Sequence, residues 1–100
     1  MQERPWQLEA VVRGRVQGVG FRYYVLDVAS ALGLVGWVAN QRDGSVACAA
    51  EGSREDLERL LELLRRGPVG ARVTDVQHSW SDATGKWQRF NVRSGEHRGD

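Results

Sequence analysis

The chain has 100 residues, and its 14 basic side chains, of which 13 are Arg, face 13 acidic ones, so its net charge is +1. A chain of this length forms one domain, and it is too short for a pair of Rossmann units or for a barrel of eight β/α units. With 41% hydrophobic residues it can bury a real core. The near-neutral charge argues against a nucleic acid or a membrane surface as its partner.

The first half of the chain predicts a strand, a helix and a hairpin. Apolar and polar side chains alternate over residues 7–14, as in a strand with one buried face. Residues 15–21 are too glycine-rich for the interior of an element. The apolar residues that follow recur at helical spacing as far as Leu32, and Gly33 fits the end of that helix. Residues 35–40 and 46–50 then read as two strands around a turn at residues 42–44.

The second half predicts another helix and two further extended runs. Ser53 fits an N-cap, and leucines at positions 57, 60, 61 and 64 form one apolar stripe before Gly67 and Pro68 end the helix. Extended runs follow at about 73–80 and 87–92, joined through the turn-rich residues 82–85. This order predicts an α+β, ferredoxin-like sandwich, with two helices on one face of an antiparallel sheet of four to five strands.

The limits of the folded core and the cellular location also follow as expectations. We expect a single domain over residues 1–100, with a folded core at about 7–93 and flexible tails at 1–5 and 94–100. One cysteine, Cys48, cannot form an internal disulfide, and the polar start lacks the apolar core of a signal peptide. We therefore expect a cytoplasmic monomer that binds neither nucleic acid nor membranes.

The most informative segment is residues 14–22, which read Gly-Arg-Val-Gln-Gly-Val-Gly-Phe-Arg where a strand leads into a helix. Such a junction favours anions, because unpaired backbone N–H groups and the helix dipole meet there and glycine lets an anion approach closely. Arg22 can add a planar fork of donors. The pattern is neither a dinucleotide fingerprint, because position 23 is Tyr, nor a Walker loop, because no Gly-Lys-Ser/Thr follows.

The whole string resembles the signature of the acylphosphatase family, which is Gly, any residue, Val-Gln-Gly-Val, any residue, Phe-Arg. Every fixed position is matched in residues 14–22. A second block is similar to that family as well: residues 36–40 read Gly-Trp-Val-Ala-Asn, with Asp-Gly at 43–44 and Val46 after them. Ala39 and Ala47 depart from the arginine and glutamate common in the family, at positions that are not catalytic there. The resemblance covers about residues 8–92.

The resemblance implies an enzyme that hydrolyses small acyl phosphates to a carboxylate and orthophosphate. It implies that the amide of Asn40 orients the attacking water and that Arg22 grips the phosphate. Backbone N–H groups would complete the phosphate site, contributed by Gln17, Gly18, Val19, Gly20, Phe21 and Arg22 itself.

This chemistry needs little equipment, so we expect no metal and no cofactor. A carboxylate leaving group has a pKa of about 4, and no general acid need protonate it. The transition state of phosphoryl transfer is loose, so positioning and charge stabilisation supply most of the catalysis. Direct attack by water, without a covalent intermediate, is therefore the expected route, and the proton of the water can pass to the substrate phosphate.

Two alternatives stay open. Cys48 and Arg54 have the Cys-x5-Arg spacing of phosphatases that form a phosphocysteine, although Glu51 would place a carboxylate inside that cradle and Cys48 alternates in phase with buried residues. A non-catalytic anion-binding or regulatory domain could keep Arg22 and the glycine loop. Retention of Asn40 in the hairpin favours the enzyme.

His78, His97 and Cys48 lack metal-ligand spacing, and no basic and aromatic string indicates an RNA-recognition module.

Overall fold

The computed structural model describes residues 4–94, which form five strands and two helices. In chain order they are β1 (Trp6–Arg15), α1 (Phe21–Ala31), β2 (Val35–Asn40), β3 (Val46–Gly52), α2 (Arg54–Arg66), β4 (Arg72–Asp82) and β5 (Phe90–Arg93). Neither helix in this part of the chain is long and apolar enough to cross a membrane. The expected flexible tails at 1–5 and 94–100 fall largely on residues 1–3 and 95–100, which lie outside the described residues.

All five strands join in one sheet with the order β4-β1-β3-β2-β5. The three central strands and β4 pair antiparallel, as the sequence predicts, but β5 pairs parallel with β2. The sheet is therefore mixed, and the expectation of a wholly antiparallel sheet is wrong at this edge. The reason is geometric: β4 ends opposite Trp6, at the end of the sheet where β2 begins. A connection that crosses the sheet at this end starts the last strand there as well, so β5 runs in the same direction as β2.

The two helices cover one face of the sheet and enclose a single core. Alternate strand residues such as Leu8, Val38 and Cys48 are buried in this core, together with the predicted leucine stripe of α2. Ser53 caps α2 as predicted, since its side chain accepts a hydrogen bond from the N–H of Asp56 at 3.1 Å. The hydroxyl of Tyr24 on α1 donates to the carbonyl of Leu63 on α2 at 2.8 Å. These observations confirm the ferredoxin-like α+β fold.

The connection between β4 and β5 is held in place by one buried carboxylate, Glu51, which is 3% exposed. Its Oε2 accepts from the N–H and hydroxyl of Thr84 at 2.8 and 2.9 Å and from Nε2 of Gln7 at 2.6 Å. Its Oε1 accepts from the N–H of Gly85 at 3.0 Å. The sequence predicts an extended run at 87–92, but only Phe90–Arg93 is a strand, because the residues before it complete the crossing.

Glu51 gives the fold a specific dependence on pH. Burial by itself raises the pKa of Glu51, but hydrogen bonds from Thr84, Gln7 and Gly85 outweigh it and hold the pKa below its ordinary value. A lowered pKa in the folded state stabilises the protein above the unfolded pKa, and that contribution is lost as the pH falls through the folded value. We therefore expect the free energy of unfolding to decrease as the pH is lowered below about 4.5.

The test is the urea midpoint measured against pH for Glu51→Gln and for the wild type. At pH 7 the variant should lose about 2 kcal/mol or more, because charge-assisted hydrogen bonds disappear and donors stay buried. Its acid dependence should be flatter than that of the wild type. Glu9→Gln, which removes an exposed carboxylate from β1, is the control. Parallel pH profiles for Glu51→Gln and the wild type would contradict the assignment.

Candidate active site

A cavity of about 180 Å³ lies where the end of β1, the start of α1 and the end of β2 meet. The sequence-predicted residues Arg22 and Asn40, 18 positions apart in the chain, both line it. The cavity is lined by Val16, Gly18, Gly20, Phe21, Arg22, Tyr23 and Asn40.

Two glycines let the loop between β1 and α1 take its shape. Gly18 has φ 74° and Gly20 has φ 77°, a left-handed conformation that other residues adopt at a cost. A Cβ at either position would meet no atom within 4 Å among the described residues. The glycines are therefore required by the backbone conformation and not by a close neighbour.

The start of α1 supplies backbone donors to the cavity wall. The first hydrogen bond of the helix runs from the N–H of Tyr24 to the carbonyl of Gly20 at 3.0 Å. The N–H groups of Phe21, Arg22 and Tyr23 therefore have no carbonyl acceptor within α1, because the residues four positions before them lie outside the helix. The first turn of α1 carries no acidic side chain, whereas that of α2 has Glu55 and Asp56. The N-terminal end of α1 therefore keeps the positive potential of the helix dipole.

Arg22 stands on the first turn of α1 and is half-buried at the cavity wall. Its guanidinium carbon lies 6.0 Å from the ring centre of Tyr23, within cation–π range. A planar guanidinium beside a helix N-terminus matches the geometry of a phosphate or carboxylate group. The arrangement brings a fixed positive charge and backbone donors to one place.

Asn40 ends β2 and is the buried polar group of the cavity. Its residue is 2% exposed, and its Oδ1 has no hydrogen-bond partner among the described residues. A buried amide oxygen without a partner costs about 1–3 kcal/mol. Such a group needs a physical explanation, and a catalytic role or an ordered water or ion can supply one. Its register opposite Val46 fixes it at the start of the β2–β3 turn.

The glycine loop is fastened to this turn by the side chain of Gln17. Its Nε2 donates to the carbonyl of Gln41 at 2.8 Å and to that of Ser45 at 3.0 Å. The turn is itself closed by a hydrogen bond from the N–H of Gln41 to the carbonyl of Ser45 at 2.8 Å. Gln17 thereby joins the segment that carries Arg22 to the segment that carries Asn40.

Asp43 stiffens the same turn. Its Oδ1 accepts from the hydroxyl of Ser45 at 2.6 Å and from the Ser45 N–H at 3.0 Å, and its Oδ2 faces Arg13 at 3.0 Å. These bonds, led by the one from the Ser45 hydroxyl, lower the pKa of Asp43 well below its usual range. The carboxylate therefore stays ionised over the physiological pH range, and its hydrogen bonds to Ser45 hold the turn after Asn40.

The other predicted loop residues have side chains that serve the fold. Phe21 is 1% exposed and packs in the core against Tyr24, so only its backbone is available to the cavity. Val19 packs against the core, and neither it nor Gln17 lines the cavity. Sequence reasoning missed Val16 and Tyr23 as lining residues. Tyr23 follows Arg22 directly and is 60% exposed, but an exposed aromatic cannot be recognised before the fold is known.

Cys48 lies in the core and is 3% exposed. Burial raises the pKa of its thiol to about 12. A nucleophilic cysteine needs a thiolate that its substrate can reach, and this thiol is neither ionised at neutral pH nor accessible. The Cys48–Arg54 spacing therefore does not form a phosphocysteine site. Arg54 instead lies over the ring of Trp80 at 3.7 Å and bonds to Glu58 at 3.2 Å.

Fold and cavity together define a small ferredoxin-like domain whose glycine loop and helix N-terminus line a donor-rich cavity. Residues 8–92 match the family model for acylphosphatase. A relative from Mycobacterium sp. (strain KMS) called acylphosphatase is 51% identical over 87 residues, which cover 87% of this chain and 93% of its own.

Solved structures agree with this match. An acylphosphatase from Bacillus subtilis has a TM-score of 0.85 and 39% identity, covering 88% of this chain and 98% of its own. One from Coxiella burnetii has a TM-score of 0.84 and 36% identity, covering 90% and 94%. The chain belongs to the acylphosphatase family. It is an enzyme with the hydrolase activity of that family, which implies an acyl phosphate as substrate and phosphate as product.

The hydrogen bonds of Gln17 make a prediction about the coupling of loop and turn. Gln17→Ala removes two donors, and we expect it to lower the free energy of unfolding by about 1–2 kcal/mol and to reduce kcat/KM because the two segments lose their fixed separation. Chemical unfolding and acyl phosphate hydrolysis measure the two effects. Gln77→Ala, at an exposed position of β4, is the matched control. Equal stability of the two variants would refute the coupling.

Proposed function

We propose that the cavity is the site of acyl phosphate hydrolysis, with Arg22 as the phosphate receptor and Asn40 as the group that orients the attacking water. The observation that carries this proposal is the buried Oδ1 of Asn40, which has no partner among residues 4–94 and lines the same cavity as Arg22. An amide oxygen accepts a hydrogen bond from water and can thereby fix its direction of approach.

The phosphate is held in this proposal by the guanidinium of Arg22 and by the backbone N–H groups at the start of α1. Of the loop residues, Gly18, Gly20 and Phe21 line the cavity and contribute through their backbone. Gln17 and Val19 do not line it, and in this proposal they hold the loop in place. Charge on the equatorial oxygens is met by donors that are already in position, so little reorganisation accompanies the reaction.

The reaction is proposed to be a single displacement at phosphorus. The water oxygen forms a bond to phosphorus while the bond from phosphorus to the acyl oxygen breaks, and the electron pair of that bond leaves with the carboxylate. One water proton stays on the new phosphate hydroxyl and the other passes to a phosphate oxygen, which yields dihydrogen phosphate. A carboxylate with a conjugate-acid pKa of about 4 leaves without protonation. Neither a metal nor a covalent intermediate is needed.

The setting of the enzyme is part of the proposal. We infer that it acts as a cytoplasmic monomer on small acyl phosphates and does not bind nucleic acid. The net charge of +1 supports a small anionic substrate over a polyanion. Release of phosphate from benzoyl phosphate in the presence of a chelator tests the activity, and a reaction abolished by the chelator would contradict the metal-free route.

Arg22 should govern substrate binding. Arg22→Ala removes charge-assisted hydrogen bonds worth about 1.5–3 kcal/mol each, so saturation with benzoyl phosphate should be lost and inhibition by inorganic phosphate should weaken at least about tenfold. Arg22→Lys keeps the charge without the planar fork and should recover only part of the affinity. Arg72→Ala, at an exposed position on β4, is the control. An unchanged inhibition constant for phosphate in Arg22→Ala would overturn the role.

Asn40 should govern turnover. In Asn40→Ala the water loses its orienting acceptor, and we expect kcat to fall on the order of 10²-fold, as when an oriented polar group is lost at another active site. Phosphate inhibition should remain within about twofold of the wild type, because the phosphate site is intact. Asn91→Ala, an exposed asparagine on β5, is the matched control. Wild-type kcat in Asn40→Ala would exclude Asn40 as the group that orients the water.

A further inference from the structure

Tyr23 is a large aromatic side chain at the cavity that the proposed mechanism does not use. It lines the cavity, yet it is 60% exposed, whereas the neighbouring ring of Phe21 is 1% exposed and belongs to the core. The hydroxyl of Tyr24, one position further on, donates a hydrogen bond to the carbonyl of Leu63. Tyr23 is thus the aromatic ring that α1 presents to solvent at the cavity.

We propose that the ring of Tyr23 is the surface on which the acyl group of the substrate lies, so that this residue sets the preference among acyl phosphates. The proposal rests on the function proposed above and deepens it, since it assigns a residue to the acyl side of the substrate. It predicts that planar, aromatic acyl groups gain more from the ring than a small aliphatic group does.

The direction of the reaction leads to this assignment. In an in-line displacement, the entering and leaving oxygens lie on opposite sides of phosphorus. Asn40, which orients the water, is 2% exposed, so the entering oxygen is on the buried side of the cavity. The leaving carboxylate and its substituent must then face the open side. Among the side chains that line the cavity, that of Tyr23 is the exposed one, and we therefore place the leaving group beside it.

Distance supports the same placement. The guanidinium carbon of Arg22 is 6.0 Å from the ring centre of Tyr23. In a substrate whose phosphate is bound by Arg22, the carbonyl carbon is two bonds and the acyl substituent three bonds from phosphorus, a span that can bring the substituent against the ring. An aromatic ring that stacks on Tyr23 excludes water from both surfaces, and such a pair contributes more than its buried area alone.

The experiment separates the acyl side from the phosphate side. Hydrolysis of benzoyl phosphate and acetyl phosphate is compared for the wild type, Tyr23→Ala and Tyr23→Phe, and binding is measured with two non-hydrolysable methylene analogues, phenacylphosphonate and acetonylphosphonate. Val69→Ala, which truncates the other exposed large apolar residue of the described chain, is the control.

We expect Tyr23→Ala to lower kcat/KM for benzoyl phosphate and the affinity for phenacylphosphonate by about 3- to 10-fold, the range of an aromatic pair. Acetyl phosphate, acetonylphosphonate and inhibition by inorganic phosphate should change less than about twofold, and Tyr23→Phe should behave as the wild type. An equal loss of kcat/KM on both substrates, or weaker inhibition by inorganic phosphate, would show that Tyr23 acts by positioning Arg22. Either result would overturn the proposal. No loss on benzoyl phosphate would also overturn it.

The binding arm keeps this test independent of the mechanism. The two phosphonates report on the acyl side even in Asn40→Ala, where turnover is expected to be low. Wild-type turnover in Asn40→Ala would therefore refute the proposed mechanism while the ratio of phosphonate affinities still decides the role of Tyr23. A wild-type protein that binds both phosphonates equally well, with no change in Tyr23→Ala, would refute the role of Tyr23 alone.

Discussion

The pair of hydrogen bonds from the Gln17 side chain to the carbonyls of Gln41 and Ser45 is the contact on which the site depends. Arg22 belongs to a loop and helix that follow β1, and Asn40 belongs to a hairpin strand, so no local hydrogen bond of either element fixes their separation. The distance between two such segments matters for catalysis, since displacements of about 1 Å can cost 10²-fold in rate. One amide group links them directly by satisfying two backbone acceptors at once.

The rest of the site needs few side chains, because the N-terminal end of α1 supplies positive potential. The N-terminal end of α1 offers donors that no earlier carbonyl in the helix can accept, and its first turn carries no carboxylate to neutralise them. Glycines at 18 and 20 accept the left-handed backbone that brings this helix start against the end of β1. In the proposed mechanism, a single guanidinium and a single amide then complete a site for a reaction whose leaving group needs no proton.

Local signals in the sequence predict most of this fold, and the exceptions have a common cause. Ser53, Gly33 and the leucines of α2 act within a few residues of themselves, so their positions reveal the helices before the structure is known. The parallel pairing of β5 and the loop anchored by Glu51 depend on partners 33 or more positions away. A glutamate at the end of an alternating strand reads as a solvent-exposed residue, and only the fold shows that Thr84 and Gly85 close over it.

The residues of the site also divide into those that a local pattern in the sequence predicts and those that only the fold reveals. The residues at 14–22 and Asn40 could be predicted because they form ordered strings, and the structure brings Arg22 and Asn40 to one cavity. The side chain of Gln17 could not be placed, because its acceptors are backbone carbonyls that carry no residue identity. Tyr23 could not be predicted for a different reason: its proposed partner is the acyl group of a substrate, which the chain does not encode. Arg22 falls within the signature at residues 14–22 and Tyr23 lies just after it, so the motif could predict the phosphate side of the site but not the acyl side.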